Sequence, residues 1–251
     1  MEQRKMFWVY GTLTAIALAL GASPAQADII FGNVNPAPLC QAAPAGQVGH
    51  VCAITETFTS GADNIIANGF LGAPAPGPGN TNLTLKGGPA APVQLLPTNI
   101  FMESGLGINT NATATCTDPE CEIFPPQSVT ATVGANTLIT DAIIGSVQPG
   151  ETFNFFVQTT PGGAFIQLNG APIGSTCVGP GFAVGPVLDT CNWNAPPGQT
   201  RFGVAVQAVT GDELLTSLST TRAAVPEPVS LMLFGTGLLG FGLLQRARRK
   251  V

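Results

Sequence analysis

The sequence predicts an all-β protein built on a single antiparallel β-sandwich of jelly-roll or lectin-like type, and three observations carry that prediction. Short segments of period two recur through residues 28–224. Turn pairs such as Pro149-Gly150, Pro197-Gly198 and Gly211-Asp212 separate them. No long stretch has the 3.6-residue apolar period of an amphipathic helix. With 31 glycines and 22 prolines in 251 residues, turns are plentiful, and residues 28–224 have the length of one sandwich domain.

In chain order, strands are expected over residues 51–58, 64–70 and 82–86. The segment 128–133 puts Val129, Ala131 and Val133 on one face and Ser128, Thr130 and Thr132 on the other, as a half-buried strand requires. A strand over 138–147 follows. Residues 151–158 turn Phe153, Phe155 and Val157 inward, 164–168 form a shorter strand, and 201–209 align Phe202, Val204, Val206 and Ala208. Residues 214–220 complete the set, although Asp212 could equally cap a short helix there. Two stretches resist this pattern. Residues 72–80 alternate proline with small residues and read as a surface loop or linker, and residues 28–45 are similarly rich in proline and alanine.

The two ends differ from the body. Arg4 and Lys5 precede an apolar run, and Ala25-x-Ala27 fits a signal-peptidase site with cleavage before Asp28, so residues 1–27 read as a secretory signal peptide served by signal peptidase and the secretion machinery. The exported body carries Lys86, Arg201 and Arg222 as its only cations against twelve carboxylates, which leaves no electrostatic footprint for nucleic acid. Export also makes its six cysteines, Cys40, Cys52, Cys116, Cys121, Cys177 and Cys191, candidates for three disulfides. Fifteen connectivities are open; pairing 40 with 52, 116 with 121 and 177 with 191 closes the shortest loops.

Catalysis finds little support in these residues. His50 is the single imidazole, and the cysteines are expected in disulfides, so a nucleophile–base arrangement is not expected and the chain reads as a non-enzyme without a cofactor. Asp118, Glu120 and Glu122 sit in a proline turn where carboxylates ordinarily point to water. They offer oxygens to calcium, but the Asp-x-Asp-x-Asp-Gly spacing is absent, so no metal is assigned. This cluster motivates an alternative reading as a metal-dependent carbohydrate-binding module or extracellular hydrolase. Outside the signal, Trp193 is the only tryptophan and no tyrosine remains, which disfavours a stacking platform for sugars.

From about residue 229 to 244 no residue is charged; as a helix this run spans about 24 Å, and with its flanks it approaches the thickness of a bilayer core. Arg246, Arg248, Arg249 and Lys250, within the basic tail 245–251, then act as a stop-transfer signal and stay in the cytoplasm, leaving the body outside. Pro226-Glu227-Pro228, the apolar segment and the basic terminus, in that order over 225–251, resemble the PEP-CTERM sorting signal of Gram-negative bacteria. That resemblance implies recognition at Pro226, Glu227 and Pro228 by an integral-membrane protease of the exosortase type, then passage to the cell surface or into extracellular polysaccharide. A permanent single-pass anchor is the conservative version. Four further segments, Glu103-Ser-Gly-Leu-Gly-Ile108, Glu122-Ile123, Ser146-Val-Gln-Pro-Gly-Glu151 and Gly211-Asp-Glu-Leu-Leu215, are similar to segments of β-rich exported proteins bearing this tail, a likeness that implies no activity.

Overall fold

The computed structural model describes residues 26–31, 49–60, 63–86, 105–109, 121–168, 170–174, 177, 179, 181–185 and 190–222. Their strands, in chain order, are β1 (Gln26–Ile30), β2 (Gly49–Val51), β3 (Thr55–Ser60), β4 (Asp63–Phe70), β5 (Asn82–Lys86), β6 (Gly105–Asn109), β7 (Ser128–Val133) and β8 (Thr137–Gly145). There follow β9 (Thr152–Gln158), β10 (Phe165–Gln167), β11 (Ile173–Gly174), β12 (Phe182–Val184), β13 (Cys191–Asn194), β14 (Gly203–Thr210) and β15 (Leu214–Arg222). They form two antiparallel sheets. One runs β12-β13-β8-β15-β6-β5-β2, with β1 also on β15; the other runs β10-β9-β14-β7-β4-β3, with β11 also on β9.

The inward residues of both sheets make one apolar core, the arrangement of a β-sandwich. Leu83, Leu85, Ile144 and Leu218 from the first sheet and Phe58, Val129, Phe155 and Val206 from the second belong to it. Trp193 is fully buried at its centre, its ring 5.0 Å from that of Phe155. It is therefore a core residue and offers no exposed platform.

The period-two segments form β4, β5, β7, β9, β10 and β14 close to the expected bounds, and 214–222 is strand, not helix. Three expectations need correction. Residues 28–30, at the start of the stretch expected to resist strand formation, belong to β1. The single strand over 51–58 is two: β2 pairs with β5 in one sheet, β3 pairs with β4 in the other, and the chain crosses between sheets through Cys52, Ala53 and Ile54. The polar face of β7 is largely covered: Ser128 and Thr130 are buried, only Thr132 is half-exposed, and Ser128 donates its hydroxyl to Gly72 O at 2.6 Å. Residues 72–80 are thus a loop laid over the outer face of the second sheet, not a linker.

The first and last of the described strands pair. β1 pairs with β15 in the register Gln26↔Thr221 to Ile30↔Ser217, filling the side of β15 that β6 touches only at Leu215↔Leu106. The last strand is fixed at its far end by Arg222, whose Nε lies 3.1 Å from Asp63 Oδ1. No helix among the described residues is long and apolar enough to cross a membrane; the expected span at 229–244 lies outside them.

Candidate functional site

Two places in the body carry more polarity than packing explains. The first is built where β5, β6, the segment 121–123, the 146–151 loop and the turn before β15 converge. Residues 121–123 wedge between β6 and the start of β15: Ile108 N–H donates to Glu122 O, and Ile123 and Glu213 exchange backbone hydrogen bonds at 2.8 and 3.3 Å. Such a close approach requires glycine at 107, because a Cβ there would stand 1.8 Å from Cys121 O.

This wedge delivers Glu122 into the interior, 2% exposed. One carboxylate oxygen takes the Lys86 ammonium and the other accepts the Ser146 hydroxyl at 3.2 Å. Ser146 reaches it from a left-handed backbone conformation, φ 59°. Glu151 folds back over Gly211 and accepts the Gln148 N–H at 2.6 Å. Asp212 lies within hydrogen-bonding reach of both Glu122 and Glu151. Glu213 is fully buried, and neither of its carboxylate oxygens has a hydrogen-bond partner.

Four carboxyls share this small volume with one ammonium, and protons compensate. Burial pushes Glu213 up to about 9, reinforced by Glu151, Asp212 and Glu122. It pushes Glu122 up to about 8 although Lys86 pulls the other way, and Glu151 up to about 7, where the Gln148 N–H opposes it and Asp212 reinforces it. Among the described residues no three His, Cys, Asp or Glu side chains are gathered as a ready-made metal cage.

The second place is a groove of about 540 Å³ on the outer face of the second sheet, within the size range of ligand sites. Pro76 and Pro78 of the covering loop form one wall and Gly162 and Phe165 the other, over a floor that includes Asn68, Thr130, Thr132 and Gln158. None of its lining residues is charged. Thr130 is 1% exposed, and its hydroxyl has no partner.

The expected sites fare as follows. Cys177 and Cys191 form a disulfide with Cα atoms 5.4 Å apart. Cys52 and Cys121 are also disulfide-bonded, their partners lying outside the described residues, as do Cys40 and Cys116. Ala27 and Asp28, flanking the expected cleavage point, lie in β1, while Ala25 is outside the described residues. So are Asp118, Glu120, Pro226, Glu227, Pro228, Arg246, Arg248, Arg249 and Lys250. Glu122 does not point to water from a surface turn; it is buried against Lys86. Glu151, Asp212 and Glu213 were not singled out as site residues, although three of the four recurrent segments noted above contain the four carboxylates that meet here. Gly105 and Gly107 of the remaining segment pack against Leu215 and Cys121.

Residues 224–249 match the family described as the PEP-CTERM protein-sorting motif. No curated protein and no solved structure matches the chain. The motif marks an exported protein sorted by an exosortase, and it begins two residues after β15 ends at Arg222.

Proposed function

We propose that the chain is a non-enzymatic protein of the cell surface or extracellular matrix, inserted by its C-terminal segment and cut beside Pro226-Glu227-Pro228 by an exosortase. The observation that carries this reading is the sorting motif over 224–249, set directly behind the last strand of a β-rich body. The described cysteines are in disulfides, a further reason to look for binding before nucleophilic catalysis. Intact-mass measurement of cell and medium fractions tests it. The wild-type mature protein is expected to lack Arg246 to Lys250, and replacing Pro226, Glu227 and Pro228 by alanine should leave the tail on and the protein in the membrane. Full-length protein in every fraction would instead make the segment a permanent single-pass anchor.

A second reading gives the body a ligand, as a lectin-like module for extracellular polysaccharide. The uncharged groove favours it: apolar prolines and Phe165 suit the faces of sugar rings. Phe165→Ala removes the half-exposed ring from the wall of the groove. It is expected to weaken retention on the host's exopolysaccharide about five-fold, the equivalent of ~1 kcal/mol. Equal retention of both proteins would count against the groove.

A further inference from the structure

We propose that Asp63 latches the end of the last strand and thereby sets how fast the C-terminal signal is processed; the inference rests on the exosortase cleavage proposed above. Asp63 opens β4 in the second sheet, yet its carboxylate reaches across to the first. One oxygen accepts the Thr137 hydroxyl at 3.3 Å and the Arg222 Nε–H at 3.1 Å, and the other accepts the Thr220 hydroxyl at 3.3 Å. Thr137 begins β8, Arg222 ends β15, and the two stand opposite each other in register. Asp63 is 5% exposed and the Arg222 side chain 47%. A single buried carboxylate thus clasps the end of the strand that runs into the sorting motif.

The ladder is interrupted near this end. Between Ser219 and Thr220 the pairing of β15 with β8 shifts register, so Thr220, Thr221 and Arg222 form a short last run. On the other side of β15, Thr220 and Thr221 pair with Ala27 and Gln26, which leave with the signal peptide when cleavage falls before Asp28. β8 and Asp63 then carry more of the attachment. Three residues, Ala223, Ala224 and Val225, separate Arg222 from Pro226, so those two Cα atoms stand no more than about 14 Å apart. A protease takes exposed, unpaired backbone, and a segment this close to a folded strand becomes fully available when the strand end frays. Where fraying is fast relative to cutting, the rate of cutting follows the population of the frayed form. Weakening the latch therefore speeds processing.

The test follows loss of the tail by mass after pulse labelling of the full chain in its host. Asp63→Asn keeps the side-chain shape and removes the charge, and it is expected to be processed about three- to five-fold faster than the wild type. Should that variant fail to accumulate, Arg222→Gln, at a half-exposed position, gives the same readout. A four-residue Gly/Ser spacer inserted between Arg222 and Ala223 is expected to be processed at least as fast, and within that longer chain Asp63→Asn should change nothing. Tail removal at the wild-type rate in the substituted chains, or a gain that persists behind the spacer, overturns the latch and leaves exosortase processing standing. A wild type that is never cut overturns both.

Discussion

Replacing Gly107 by alanine is expected to cost at least ~3 kcal/mol and to lower the melting temperature by about 10 °C. The added Cβ would stand 1.8 Å from Cys121 O and 2.8 Å from Glu122 Cα, both backbone atoms, so no rotamer change relieves the clash. Relief requires pulling residues 121–123 away from β6. That stretches the Ile108 N–H bond to Glu122 O and the Thr84 hydroxyl bond to Cys121 O, and it draws Glu122 off Lys86. Breaking a buried ion pair is itself strongly destabilising. Gly72→Ala is the matched control: nothing lies within 4 Å of a Cβ there, and the change should stay within about 0.5 kcal/mol. Thermal denaturation of the two variants side by side checks the pair, and equal melting temperatures would mean that the wedge is looser than described.

The second large effect is on pH. Glu151, Glu122 and Glu213 hold their protons up to about 7, 8 and 9 in the fold, whereas an unfolded chain releases them near 4.5. Their folded values are raised, so their contribution is present in full below about pH 4.5 and is lost as pH rises through 7 to 9. The protein should therefore melt lower at pH 9 than at pH 5, by an amount on the order of 10 °C, with Glu213 dominating because its burial is complete. Glu151, partly exposed, contributes less. The groups facing Glu213 are Glu122, Glu151 and Asp212, with Lys86 behind Glu122, and only Lys86 opposes the trend. Glu213→Gln removes the largest contribution, so it is expected to flatten the profile and to exceed the wild type at pH 8. Scanning calorimetry across pH 5–9 decides this; parallel profiles for the two proteins would show that Glu213 is not the group that titrates.

What the sequence made legible follows from how local each signal is. β7, β9 and β14 announce themselves because alternate residues face one core, and a period of two survives without knowledge of neighbours. β6 does not, because Gly105 and Gly107 replace side chains with backbone contacts to Leu215 and Cys121, and a strand buried on both faces has no alternation. β13 alternates Cys191 and Trp193 with Asn192 and Asn194, but over four residues that pattern is too short to stand out. The polar face of Ser128 to Thr132 looked solvated because the loop that covers it comes from more than fifty residues earlier. The carboxylate cluster was the hardest part to read. Its members come from separate segments of the chain, and only the wedge of residues 121–123 beside β15 brings Glu122 to Glu213.

The pairing of β1 with β15 has a consequence for timing. Ile29 lies opposite Leu218, so the first strand to emerge during secretion finds its partner only when nearly all of the body has followed. Contacts between such distant residues form late, because the loop they close is long. Until β15 arrives, β1 has no strand to pair with. Closure comes with the strand that immediately precedes the sorting motif, so completion of the sheet and arrival of the processing signal at the membrane become one event.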